Sequence, residues 1–237
     1  TAYGPGCMQR TPTYPVDEDC LTLNIWAPPA HPPPIRSRNS SNTSGVGTEN
    51  DNRGDPVLVW AFGGGLTGGS GRTFNGTNLT LQGDQRTVVV TMNYRLGAFG
   101  FYASKEIEEE EPVGPNNATT TGGMNGVSDI LESLKFVQHH IQAFGGDPSR
   151  VTLSGESSGS VSSCILAHSP AAKGLFHQVI LESGVCTGPW MGPASRKFAF
   201  NTSKQIADDV NATSLKAMRE VPTMVLVNAS HYVRWTL

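Results

Sequence analysis

Little in this sequence is long and apolar, strongly charged or rich in sulfur, and each shortage excludes something. No apolar run approaches the ~20 residues that cross a bilayer as a helix. The longest, Val57 to Phe62 and Val88 to Met92 with Thr91 inside it, have the length of buried strands. No transmembrane segment is expected in this piece. Charged residues make up 16% of the 237 and the formal net charge is −3, against about 25% charged in an average soluble domain. With neither sign in excess, neither nucleic acid nor an anionic membrane surface is an expected partner. Four cysteines are too few for a disulfide scaffold, and no C-x-x-C occurs, which weakens zinc and thiol-redox readings. No metal and no other cofactor is expected. The chain opens at Thr1 without a basic-then-apolar leader, so a signal peptide is expected to be removed or to lie outside this piece.

What is present points elsewhere. With 27 Gly, 16 Pro and 37% hydrophobic residues, the chain reads as loop-rich but globular, long enough for one large core. The tripeptide N-x-S/T occurs at Asn39, Asn42, Asn75, Asn78, Asn117, Asn201, Asn211 and Asn228. Eight exceed what chance readily gives, so a secreted or cell-surface location is expected, with the sequons on surface loops. In that compartment a bridge between Cys7 and Cys20, which flank a short Pro-rich segment, would contribute roughly 3 kcal/mol. Two free thiols remain the other reading.

Along the chain, Leu21 to Ala27, Val57 to Phe62, Thr87 to Asn93, Val151 to Ser154 and Gln178 to Glu182 read as strands. Ser128 to Phe144 carries apolar residues at helical spacing and is stopped by Gly145, Gly146 and Pro148. Ser158 to His168 reads as a helix, and the stretch from Pro189 as mainly helical. Pro28 to Asp55 is dominated by Pro, Ser, Asn and Gly and reads as a mobile surface insertion without a catalytic group. Lys105 to Thr121, opening with an acidic run, reads as a second, solvated insertion. Strands alternating with helices argue for a mostly parallel sheet covered on both faces.

Gly155-Glu156-Ser157-Ser158-Gly159 fits G-x-S-x-G between a strand and a helix, the setting of a nucleophile elbow. A Ser/Gly turn capping a helix would look the same. Gly63-Gly64-Gly65 also follows a buried strand, where bare backbone N–H groups can approach a substrate. With the Ser158 N–H they would form an oxyanion hole, in which one donor contributes on the order of 3–4 kcal/mol. A phosphate cradle would need a Gly-Lys-Ser/Thr ending, and no Lys stands there.

The ordered series GPGCMQ (4–9), EDCLTLNIWAP (18–28), VLVWAFGGG (57–65), VVVTMNYRLGAFGF (88–101), GGMNGVSDI (122–130), FGGDPSRVTLSGESSGS (144–160) and VILESG (179–184) resembles the type B carboxylesterase/lipase family, which includes the cholinesterases. The resemblance covers nearly the whole chain outside the two insertions and the last few dozen residues. It implies an α/β-hydrolase fold, mostly parallel, with helices on both faces and incomplete at both ends. The whole of residues 1–237 would be part of one catalytic domain, with 28–55 and 105–121 inserted.

By that resemblance Ser157 matches the catalytic serine, and Gly64, Gly65 and Ser158 the oxyanion donors. Glu156 matches a buried structural glutamate and Ser183 a polar residue supporting the triad. Cys7 and Cys20 match the first disulfide, and Arg95 and Asp129 a buried ion pair. Phe62 stands where many members have His, Leu66 where Phe is common and Ser158 where Ala is common. Cys164 and Cys186 match no bridge of the family and are expected to be free thiols.

The fold's order is Ser, then an acid, then His. Only 80 residues follow Ser157, and of the six His only His231 lies late enough. The triad acid and His are expected outside this piece, which alone should not turn over esters. The expected function is serine carboxylic ester hydrolysis on a small-molecule or lipid ester. The other reading is a non-catalytic, cholinesterase-like adhesion protein. Oligomeric state is not legible.

Overall fold

The computed structural model describes residues 2–29, 54–82, 85–110, 123–187 and 195–231. Most of the 28–55 insertion and residues 111–122 lie outside them, with Asn39, Asn42 and Asn117. In chain order come β1 (Gly6–Cys7), β2 (Val16–Asp17), β3 (Leu23–Trp26), β4 (Asp55–Ala61), α1 (Thr77–Thr80), β5 (Leu81–Gln82), β6 (Gln85–Arg86), β7 (Val88–Met92), α2 (Gly97–Phe101), α3 (Lys105–Glu110), α4 (Asn125–His140), β8 (Gly146–Glu156), α5 (Ser158–His168), β9 (Gln178–Glu182), α6 (Arg196–Asp209), α7 (Leu215–Arg219) and α8 (Thr223–His231).

Five strands form the central sheet in the order β3-β7-β4-β8-β9. Only β3 runs antiparallel to its neighbour; the other three pairings are parallel. Every residue of β7 is buried, as an unbroken apolar run in a sheet covered on both faces requires. Helix α4 sends Ile130, Leu134 and Val137 into the core at helical spacing, followed by Ile141, and all four are fully buried. Gly145, at φ +82, stops the turn that follows.

Register aligns the carboxyl ends of three strands. Ala61 pairs with Gly155, and Glu156 pairs with Glu182. The segments leaving β4, β8 and β9 therefore emerge together at one edge of the sheet. Those segments begin with Phe62-Gly63, Ser157 and Ser183.

Three expectations change. The strand expected at Val151–Ser154 runs from Gly146 to Glu156, because its upstream half also pairs with β4 at Asp55. The acidic run expected as a solvated loop is helical over Lys105–Glu110. Its carboxylates are engaged by distant groups: Glu108 pairs with Arg196, Glu110 with Arg219, and Glu106 accepts from the Leu215 N–H. Finally, Cys164 and Cys186 are not free thiols but a disulfide, with Cα atoms 5.6 Å apart. Helix α5 packs back over both β8 and β9, which brings Cys164 beside the turn after β9.

Candidate active site

Ser157 sits between β8 and α5 at φ +52, ψ −122. A non-Gly residue seldom adopts such a backbone, and it persists only where its surroundings enforce it. Two contacts do so. The Ser157 N–H donates to the Glu182 carbonyl at 2.8 Å. Gly159 lets α5 approach the end of β4 so closely that an added Cβ would lie 2.2 Å from the Ala61 oxygen. Ser157 itself is half-buried.

The glycine run lies against this turn. A Cβ on Gly63 would fall 2.9 Å from the Ser157 Cβ and 2.4 Å from Glu156 Oε2. Gly64 adopts φ +123, and its carbonyl accepts from the Thr67 and Gly68 N–H groups, both at 3.2 Å. Those bonds fold the loop so tightly that a Cβ on Gly64 would stand 2.1 Å from the Gly68 oxygen. Among the described residues no acceptor takes the Gly64, Gly65 or Ser158 N–H. Three backbone donors are thus left without a protein partner in the two segments that meet at Ser157.

The loop is braced by buried side chains. Gln9 donates to the Gly69 carbonyl at 2.8 Å and accepts from the Gly69 N–H at 3.0 Å. Asn93 Oδ1 accepts from Ser70 Oγ and the Gly71 N–H, while its Nδ2 donates to the Pro5 and Cys20 carbonyls. Tyr94 is fully buried, stacks on Phe62 at 4.2 Å between ring centres and donates its hydroxyl to the Phe62 carbonyl at 2.6 Å. Burial pushes the Tyr94 phenol well above its ordinary pKa, so it remains a donor. Sequence reasoning gave Gln9, Asn93 and Tyr94 no role. The signal was a polar residue embedded in an apolar or structured run, as in VVVTMNY, because a buried amide must find partners.

The remaining expected residues fall as follows. Arg95 and Asp129 form a bidentate pair, Nε–Oδ2 at 2.8 Å and Nη2–Oδ1 at 2.7 Å. Only the Asp129 side chain is buried; that of Arg95 is 37% exposed, so the pair is half-buried rather than buried. The hydrogen bonds to Asp129 raise the Arg95 pKa despite partial burial. Glu156 is half-buried too, its carboxylate against Gly63. Ser183 is exposed at φ +54, one residue after the carbonyl that holds the Ser157 N–H. Cys7 and Cys20 are bonded. Asn75, Asn78, Asn201, Asn211 and Asn228 are all exposed.

The described imidazoles are engaged away from the elbow. His139 Nδ1 meets the Lys135 carbonyl, and His140 packs on Phe136. His177 Nδ1 accepts from the Val151 N–H midway along β8. His168, whose Nδ1 meets the Cys164 carbonyl, lies about 16 Å down the helix from Ser157 at 1.5 Å per residue. The side chains of His31 and His231 lie outside the described residues. Cys164, His168 and Cys186 bring their ligand atoms within 4.8 Å of one another. Both sulfurs are spent on the disulfide, which leaves no thiolate for a metal ion.

With that geometry in view, a family model described as carboxylesterase family matches residues 1–233. The chain belongs to the carboxylesterase family. Phenmedipham hydrolase of Pseudarthrobacter oxydans is 34% identical over 217 residues, which cover 91% of this chain and 36% of that protein. Acetylcholinesterase-1 of Trittame loki is 41% identical over 76% of this chain and 29% of its own length. The solved Geobacillus stearothermophilus carboxylesterase EST55 superposes with a TM-score of 0.78 at 31% identity, over 100% of this chain and 44% of its own. Such neighbours identify the sheet of this carboxylesterase-family chain as that of an α/β-hydrolase. The chain spans less than half the length of each of these proteins.

Proposed function

We propose that the protein carrying this sequence is a carboxylic ester hydrolase that works through an acyl-enzyme on Ser157. The observation that carries the reading is the strained Ser157 turn set against three backbone N–H groups without acceptors. Ser157 Oγ attacks the ester carbonyl carbon, and its proton passes to an imidazole supplied from outside the described residues. The carbonyl π bond opens to an oxyanion, to which the Gly64, Gly65 and Ser158 N–H groups donate. Collapse of this intermediate expels the alcohol, protonated by the imidazolium, and leaves the acyl group on Ser157. Water then repeats the sequence and releases the acid. Glu156 and Ser183 flank the nucleophile as supporting groups. Small-molecule or lipid esters are the substrate class.

A binding or adhesion role on the same fold would need neither the strained serine nor the unoccupied donors, so hydrolysis is the better reading. A secreted or cell-surface location is supported by the two disulfides, which persist in oxidising compartments, and by the exposure of the five described sequon asparagines. No helix of the described residues is long and apolar enough to cross a membrane. The test is turnover of p-nitrophenyl acetate by the intact protein and its Ser157→Ala variant. A loss on the order of 10³-fold or more is expected. Unchanged turnover in the variant would remove Ser157 from the mechanism.

A further inference from the structure

Two of the proposed oxyanion donors, Gly64 and Gly65, sit between Phe62 and Leu66, and a buried hydroxyl holds each end of that short segment. The Leu66 N–H donates to Ser158 Oγ at 3.3 Å across 92 residues of sequence. The Phe62 carbonyl accepts from the Tyr94 hydroxyl at 2.6 Å. The Ser158 hydroxyl therefore holds the Leu66 end of the segment and the Tyr94 hydroxyl the Phe62 end. Together these two bonds clasp Gly63, Gly64 and Gly65. All the groups in this clasp are withdrawn from water: Ser158 is 9% exposed, Phe62 5%, Leu66 2% and Tyr94 0%.

The clasp restrains a backbone that needs restraint. Leu66 is a non-glycine residue at φ +64, next to Gly65 at +61 and Gly64 at +123. Its carbonyl is held by the Gly97 N–H at 2.7 Å, but its N–H depends on Ser158. A free Leu66 N–H would be a buried donor without a partner, and the loop would relax toward one. Any such movement would shift the Gly64 and Gly65 N–H groups, whose value depends on standing 2.7–3.1 Å from the position of the developing oxyanion.

We infer that the Ser158 side chain is a positioning residue, which holds the oxyanion loop in register through the Leu66 N–H, separately from the Ser158 backbone N–H. Its catalytic consequence rests on the esterase reading above. An alanine at this position would keep the backbone donor and open the clasp at Leu66.

Ser158→Ala in the intact protein is the test, with Ser158→Thr, which retains a hydroxyl, as the rescue. Three quantities are read: amide hydrogen exchange at Leu66, kcat and KM on p-nitrophenyl acetate, and affinity for a trifluoromethyl ketone that forms a tetrahedral adduct on serine. With Ser158→Ala, Leu66 exchange should rise about tenfold. The kcat should fall about three- to tenfold with KM little changed, as expected for one neutral hydrogen bond acting on the transition state. Ketone affinity should fall in parallel, and Ser158→Thr should restore most of both. Unchanged Leu66 exchange overturns the clasp whatever the activity does, and decides the matter even if threonine does not fit. Raised exchange with unchanged kcat overturns the positioning role. If the intact protein turns over no ester while Leu66 exchange still rises, the clasp stands and the esterase reading falls with its catalytic consequence.

Discussion

The strained turn at Ser157 and the glycine loop lie against each other but are held by different means. The turn is fixed by backbone on backbone. Gly159 abuts the Ala61 and Phe62 carbonyls, and the Ser157 N–H is tied to Glu182. The loop from Gly63 to Gly71 is tied down mainly by side chains from elsewhere: Gln9 near the amino terminus, Asn93 and Tyr94 after β7, and Ser158 on α5. Close packing leaves a part no alternative position, whereas hydrogen bonds can be removed singly. The turn should therefore fail all at once and the loop by degrees.

The largest effect should come from Gly159→Ala. The clash is with backbone, which cannot swing aside, so a loss of about 3 kcal/mol or more is expected, at the upper end for overpacking. Thermal unfolding of the intact protein would show it; a melting temperature like the parent's would mean that the turn is not locked as described. Next is the double substitution of Cys164 and Cys186 by Ser. This bridge ties α5 to the turn after β9 across 22 residues and should contribute about 3 kcal/mol. Non-reducing peptide mapping should recover the linked pair, and two freely alkylated thiols would contradict it.

Gln9→Ala strips both bonds from Gly69 and should cost about 1–3 kcal/mol. Amide exchange at Gly69 should rise while that at Ser157 stays put. Equal rises at both would erase the distinction between the two regions. The smallest effect is expected from Asp129→Asn, which weakens the pair fastening the residue after Tyr94 to α4. A fully buried pair loses ~3–5 kcal/mol when broken, but the exposure of Arg95 lets solvent take over, so about 1–2 kcal/mol is expected from denaturant unfolding.

What could be read from the sequence was local. The boundaries of α5 and β9 were legible because apolar spacing and neighbouring Gly, Ser and Pro mark them within a few residues. The elbow and the glycine run were legible as motifs in context. What was not legible depends on long-range pairing. The acidic run of α3 looks like a solvated loop until Arg196 and Arg219, about 90 to 110 residues later, are seen to meet it. Cys164 and Cys186 look too far apart until β9 is laid beside β8. Ser158 and Leu66 carry no mutual signal at all, since a hydroxyl and a backbone N–H can pair across any separation.

The central claim is that Ser157 is an activated nucleophile. The most direct measurement is labelling of the intact protein with a fluorophosphonate, which reacts with activated serines, followed by mass spectrometry of the modified peptide. The account predicts one adduct, on Ser157, that disappears in Ser157→Ala. A folded, unlabelled protein, or an adduct that survives in Ser157→Ala, would contradict it.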